Sequence, residues 1–411
     1  RAGRAFGPLG ASRAGAGNRL RPAIVFVEQL KAVAQDSRTS IDPIRRQLPE
    51  PRFPSLAHGA AEYQPGSLKI DGDLSDWGEL RHALPMRWNK QDERIEDGVK
   101  LYLRWNTRGL YFAYRVHGRT DPDIPGGKPY EGDVLEVFID VDNLRHERMI
   151  ENPNTQQFCL MPFGNEQDRH TTFAEVGRGF RGIMRHSYRY DSATDPNQCL
   201  GIARGRVHDN DNHYTVEAFI SRRALAQPKL DMKKGGYIAM NFSVNRGFDA
   251  SKSQQWSLSK AHETYNRPNT WGDVLLLGTD AEVRFVDAEQ PDKAPIAPTS
   301  GQPLGVAITD PDMNADPDAR DRILCQVGMA GSVNRMYVVL AETGPQTGVF
   351  RGSFDTQVWG LPPRPNTLSV RPGHEVHAHY KDASNRYGES DREVKARLQI
   401  GVPVFRLSRL Q

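Results

Sequence analysis

The sequence predicts an all-β protein: two β-sandwich domains preceded by an extended N-terminal arm. Three observations carry this. Apolar residues recur at every second position through much of the chain, the period of a strand with one buried face. The alternating runs are short and end at Gly, Asn, Asp or Pro. Over 411 residues there are more of them than one sandwich holds, so the chain divides in two.

Residues 1–64 read as the arm. Arg1–Pro22 is rich in Gly, Ala and Arg and has no acidic residue, so it cannot build a core. Ala23–Asp36 has apolar residues at 23, 24, 26, 27, 30, 33 and 34, which predicts one short amphipathic helix. Prolines from Pro43 to Pro54 keep the remainder extended. Ten basic and five acidic side chains in residues 1–64 suit a segment that docks on protein partners.

Residues 65–279 form the first predicted sandwich. Asp71-Gly72-Asp73 reads as a turn, Asp76 as a cap and Trp77 as an apolar anchor. Val99–Asn106 alternates, with Val99, Leu101, Leu103 and Trp105 on one face, and Leu110–Val116 returns after a short Gly-containing loop. In Asp133–Asn143 one face is Leu135, Val137, Ile139 and Val141, and the other is Val134, Glu136, Phe138 and Asp140. The first of these faces must point to a core. His213–Leu225 starts as a strand and ends in a helical turn; Gly236–Arg246 and Gly272–Gly278 complete the set.

Residues 280–402 form the second predicted sandwich, with strand runs beginning at Ala281, Leu304, Arg322, Met336, Gly348 and His374 and a Pro-rich loop at Pro291–Pro303. Residues 403–411 are a tail.

The first unit resembles a family 9 carbohydrate-binding module, within the wider group of DOMON-like sandwiches. Ile70–Trp77, Val99–Val116, Gly132–Asn143, Tyr214–Leu225, Val244–Ser257 and Thr270–Gly278 carry the likeness, in the expected order over about half the chain. The second unit resembles an immunoglobulin-like repeat of bacterial surface proteins, through Val306–Asp321, Leu340–Phe354 and Val370–Asp382. The two resemblances imply an exported, non-catalytic protein: secreted, periplasmic or on a bacterial cell surface. Its partner would be a glycan or another cell-surface polymer. A subunit of a surface layer, filament or exported complex is the alternative.

A sugar ring stacks its C–H face on an aromatic side chain and satisfies its hydroxyls with polar ones. Trp88 and Trp256 sit among polar residues and are the platform candidates, with Arg246 as a hydrogen-bond donor. Trp105 and Trp271 read as packing residues. Asp310, Asp312, Asn314, Asp316 and Asp318 place oxygen ligands at every second position, which suggests a structural calcium ion. Position six of this run is Ala315 and its flanks are strands, so it is not an EF-hand. His377 and His379 share one strand face and read as exposed residues rather than a metal pair. Some DOMON-like sandwiches hold a b-type haem between Met and His or Lys, and Met161, Met184 and His186 keep a haem-b electron-transfer subunit as a further alternative.

Other classes are set aside. A net charge of +3 argues against a nucleic-acid or polybasic membrane binder. No run approaches the roughly 18 apolar residues of a membrane span. No GxSxG, HExxH or P-loop occurs in a fitting context. Cys159 and Cys199 either pair or stay as buried thiols.

Overall fold

A computed structural model describes residues 58–89, 94–117, 122, 132–163, 173–180, 183–185, 189–190, 199–225, 236–247, 254–259, 266–316 and 318–402. The expected helix at Ala23–Asp36 and nearly all of the arm lie outside these residues. Among the described residues the regular structure is strands joined by short 3-10 turns. No described helix is long and apolar enough to cross a membrane.

The first unit contains β1 (His58–Tyr63), β2 (Leu84–Trp88), β3 (Arg94–Asn106), β4 (Gly109–His117), β5 (Val134–Asp140), β6 (Thr155–Leu160), β7 (Phe173–Phe180), β8 (Ile183–Arg185), β9 (Arg189–Tyr190), β10 (Gly201–His208), β11 (His213–Ser221), β12 (Tyr237–Arg246), β13 (Gln254–Ser257) and β14 (Gly272–Leu276). They pair in the order β10-β11-β4-β3-β1-β14-β12-β5-β6-β7-β8, with β13 bridging β12 to β2, β2 pairing β3, and β9 on β7. The sheet folds over on itself into two layers. Phe112 on β4 and Phe242 on β12 are not on neighbouring strands, yet their rings lie 6.0 Å apart across the core. The apolar face read from the sequence, Leu135, Val137, Ile139 and Val141, enters that core together with Leu101, Leu103 and Trp105.

One boundary differs from the sequence reading. The arm was expected to run to residue 64, but His58–Tyr63 is a strand, parallel to both β3 and β14. Its sequence, HGAAEY, lacks the large apolar residues that mark a strand. Ala60 and Ala61 are buried because small side chains fit between two flanking strands.

The segment Asp71–Trp77 is a cap on the outer face of β11. Glu217, fully buried on β11, accepts three hydrogen bonds from it. Oε2 takes the backbone N–H groups of Asp71 at 2.9 Å and Gly72 at 2.7 Å, and Oε1 takes the Trp77 indole N–H at 2.7 Å. The Thr215 hydroxyl donates to the Gly72 carbonyl at 2.5 Å. Gly72 is required here: its φ is +84°, and a Cβ would lie 2.8 Å from the Arg206 backbone nitrogen. Asp73, not Asp76, caps the 3-10 turn Leu74–Trp77 by accepting from Ser75 N, whereas Asp76 accepts from Lys69 N. Trp77 is 1% exposed and packs with Leu68, Ile70, Tyr111, Ile202 and Phe219. The anchor role expected of it holds.

The second unit contains β15 (Glu282–Asp287), β16 (Leu304–Thr309), β17 (Arg322–Met329), β18 (Arg335–Glu342), β19 (Val349–Val358), β20 (Thr367–Val370), β21 (Glu375–Ser384) and β22 (Ser390–Gln399). The order is β15-β16-β19-β18-β17-β21-β22, with β20 parallel to β19. Its separate core includes Val306, Ile308, Val327, Leu340, Phe350, Val376 and Tyr380.

The two units meet at residues 277–281. Trp105 donates its indole N–H to the Leu277 carbonyl at 2.9 Å, and Tyr63 its hydroxyl to the Pro311 carbonyl at 2.7 Å. Thr279 donates to Asp312 from its backbone N–H and its hydroxyl, at 3.1 and 2.7 Å. Ala281 N–H donates to Asp382 at 3.1 Å. Gly278 passes so close to β21 that a Cβ would sit 1.7 Å from the Ser384 carbonyl oxygen.

Trp77→Ala removes a fully packed indole and the Glu217 bond, and is expected to cost about 3–5 kcal/mol in urea unfolding. Burial pushes the Glu217 carboxyl up to about 7 against the pull of its donors. A carboxyl raised in the folded state binds its proton more tightly there than when unfolded. The contribution of Glu217 to stability should therefore fall as pH rises from about 4.5 to about 7 and level off above. Glu217→Gln, with no proton to lose, should flatten that part of the curve. Gly278→Ala forces the methyl onto backbone and is expected to cost about 1–3 kcal/mol, read from the same unfolding measurement.

Candidate functional site

The strands β5, β6 and β12 are buried on both faces, so the side chains pointing away from the main core must still be satisfied. That second face can be followed by register. Cys159 on β6 lies opposite Glu136 on β5, Glu136 opposite Ser243 on β12, Ser243 opposite Ser257 on β13, and Ser257 opposite Trp88 on β2. Gln157, Phe138, Asn241, Asn245 and Gln255 are two residues away along the same strands and share the face.

A hydrogen-bonded row crosses it. Glu136 Oε2 accepts from Gln157 Nε2 at 2.7 Å and Oε1 from Asn245 Nδ2 at 2.6 Å. Asn245 Oδ1 accepts from Gln255 Nε2 at 2.8 Å. Glu136, Gln157 and Asn245 are each under a tenth exposed. One carboxylate is thus held by two side-chain amides, and a third amide, Gln255, extends the row through Asn245. Beside the row, Cys159 has its thiol pushed well up, first by burial and then by the Glu136 charge. It is not a ready nucleophile.

Trp88 stands at the margin of this face because of an irregularity. Leu84 and Met86 pair with Leu101 and Val99 and are buried in the core, but the register shifts between Met86 and Trp88. Trp88 then pairs with Arg94 and with Ser257, half-buried on the polar face. A bulge is a known way to re-aim one side chain.

The same alternation separates the other two expected residues. Trp256 is opposite Val244, enters the main core and is 8% exposed. Arg246 follows Asn245, so it leaves the polar face; its Nη1 reaches the His117 carbonyl at 3.4 Å. Of Trp88, Trp256 and Arg246, only Trp88 stands on the polar face. Gln157, Asn245 and Gln255 were not singled out from the sequence. Asn245 and Gln255 adjoin Arg246 and Trp256 in the sequence, and reading the strand period outward from either finds them. Gln157 had no such signal, because β6 carries adjacent glutamines and no clean alternation.

Next along the same face, Phe138, Met149, Ala239 and Trp271 form a small apolar cluster, with the Phe138 and Trp271 rings 6.0 Å apart. Trp271 is a packing residue, as expected. Beyond it a polar loop closes the end of β5. Asp140 accepts from Arg145 N at 2.8 Å and Asn152 Nδ2 at 3.0 Å, while Asp142 accepts from Asn152 and Asn154. Arg145 bonds the Asp273 carboxylate and the Trp271 carbonyl. Burial, then the neighbouring Asp142, pushes Asp140 up to about 7.

The acidic run at 310–318 divides. Asp310, Asp312 and Asn314 are buried at the junction of the two units, whereas Asp316 and Asp318 lie on an exposed loop. A 3-10 turn, Pro311–Met313, lies within the run. Asp310 accepts from the Tyr380 hydroxyl at 2.6 Å, and Asp316 accepts from Asp318 N at 2.9 Å. Burial and the Asp312, Asp310 and Glu342 charges raise the Tyr63 phenol well above its usual value. Among the described residues no group of three or more His, Cys, Asp or Glu side chains is arranged to hold a metal ion.

The remaining sequence candidates are placed as follows. His377 and His379 lie on one face of β21 and bond Glu375 at 3.1 Å and Glu393 at 2.6 Å. Met161 is buried. The Met184 side chain and His186 lie outside the described residues. Cys159, Cys199 and Cys325 are buried and no disulfide joins them.

Replacing Glu136 by Leu tests the row. The Gln157 and Asn245 donors would lose their acceptor inside a buried site, at about 1–3 kcal/mol for each. The expected outcome is a lower urea midpoint with unchanged slope.

Comparison with known proteins bears on this unit. Residues 77–279 match the family described as carbohydrate family 9 binding domain-like. Among solved structures, a carbohydrate binding module family 9 from Caldicellulosiruptor kristjanssonii in complex with cellotriose is 16% identical, covers 53% of this chain and 93% of its own, and has a TM-score of 0.37. The module from the same organism in complex with glucose gives 17%, 54%, 97% and 0.36. A putative carbohydrate-binding protein from Bacteroides uniformis gives 12%, 54%, 99% and 0.37. No curated protein matches the chain.

Proposed function

Since residues 77–279 form a carbohydrate family 9 binding domain-like unit, we propose that the chain binds glycans through the polar face of β5, β6, β12 and β13, without catalysis. The observation that carries this is the row Gln157–Glu136–Asn245–Gln255 with Trp88 at its margin. A hydroxyl donates one hydrogen bond and accepts others. A carboxylate held among amides supplies both kinds of partner, and an indole edge or face packs against the C–H side of the ring. The row carries a carboxylate, which repels acidic sugars and so favours neutral ones.

This reading places the chain in an exported setting, secreted, periplasmic or at the cell surface, where polymeric glycans are available. The second unit extends the same body, and its immunoglobulin-like character belongs to the proposal. A second reading, a scaffold role in a surface assembly, draws on the junction, where Tyr63, Thr279 and Ala281 tie the two units by hydrogen bonds.

The test is a glycan array with the full chain, followed by calorimetric titration of any hit. The expected outcome is retention of neutral oligosaccharides. Trp88→Ala and Glu136→Gln should each weaken binding about tenfold or more while circular dichroism stays unchanged. A blank array, or undiminished affinity in both variants, would exclude this face as the glycan site.

A further inference from the structure

Three histidines line up on the outer face of the first unit, away from the proposed glycan face. The register pairs His208 of β10 with His213 of β11, and His213 with His117 of β4. The His208 and His213 rings are stacked, 4.4 Å apart and 13° from parallel. The His117 ring lies 5.6 Å from His213 at 43°. His213 is 4% exposed.

The row is connected to the cap. His208 Nε2 is 2.9 Å from the Thr215 hydroxyl. That hydroxyl has one proton, which goes to the Gly72 carbonyl, so it accepts from His208. Gly72 is in turn held by Glu217. A chain of four groups therefore runs from the histidine row to the segment that anchors Trp77.

We propose that the histidine row is an acid-sensitive latch: neutral rings stack and hold the ends of β10, β11 and β4 together, and acidification loosens these ends and the cap. The physical cause is repulsion. Two imidazolium rings at stacking distance place like charges side by side in a partly buried row.

The charged groups around the row mostly add to this. Arg115 of β4 and Arg206 of β10 flank Thr215 one step along the strands, and Arg246 of β12 bonds the His117 carbonyl. Arg206 is paired with Asp73 of the cap at 2.6 Å. On the turn between β10 and β11, Asp209 and Asp211 are the acidic neighbours, and Asp211 favours a charged His208. Burial and then His213 hold both His117 and His208 below the usual imidazole value of 6.5. A histidine lowered in the folded state contributes stability that is fully present above 6.5. That stability is lost as pH falls below it. Glu217 acts in the opposite sense, since its proton stabilises the folded state below about 7.

Two measurements on the full chain test the latch. In a carbon-detected NMR titration of the imidazole rings, His117 and His208 should titrate below 6.5, and each should shift the His213 signal. Hydrogen exchange, corrected for intrinsic rates, should then compare the wild type with the double variant His117→Gln/His208→Gln at about pH 7 and about pH 5.5. Peptides covering 67–80 and 201–216 should lose more protection on acidification in the wild type than in the variant. Titration of His117 and His208 at the free value would overturn the proposal, as would identical pH dependence in both proteins. If the double variant does not fold, the wild-type titration decides alone.

Discussion

The structure of the first unit depends on one constraint: its central strands are buried on both faces. β5, β6 and β11 have no exposed residue, and β12 has none between its ends. An antiparallel sheet normally leaves one face to water, and a polar residue there needs no partner. Here each polar residue on the second face must be satisfied by protein, because an unpaired buried carboxylate is prohibitively costly. Glu217 and Glu136 are two of the places where that requirement shapes what lies nearby.

The two carboxylates meet the requirement in different ways, and the difference separates a fixed anchor from an exchangeable row. Glu217 is satisfied by two backbone N–H groups and one indole. Such donors cannot turn away without unfolding the cap, so the arrangement suits permanent anchoring. Glu136 is satisfied by side-chain amides of Gln157 and Asn245. Amide side chains rotate within their rotamers and can exchange one partner for another at little cost to the backbone. The proposed glycan site relies on such an exchange in the Glu136 row, which the Glu217 cap does not offer.

At the junction a similar logic applies to carboxylates that the sequence displayed as a ladder. Asp312 of that ladder and Asp382 of β21 receive backbone N–H groups of Thr279 and Ala281, the residues that lead from the first unit into the second. Asp310 receives the Tyr380 hydroxyl from within the second unit's core. These acidic side chains act as acceptors for a connecting segment that has no strand ladder of its own. Gly278, pressed against the Ser384 carbonyl, allows the approach.

The sequence by itself determined the strand class, the apolar faces, the anchor role of Trp77 and the likeness to family 9 modules. Period-two alternation and turn residues are local signals, and each side chain's face follows from its neighbours two positions away. It did not reveal β1, whose small residues carry no alternation, or β6, whose two faces are both buried. It also grouped Trp88 with Trp256 and Arg246, which sit on the opposite face. Only the tertiary structure decided these. Which strand pairs with which, and where a register shift falls between Met86 and Trp88, depend on contacts made far along the chain. The identity of the partner that satisfies a buried carboxylate is likewise a long-range fact: Glu217 meets Gly72 across 145 residues of chain.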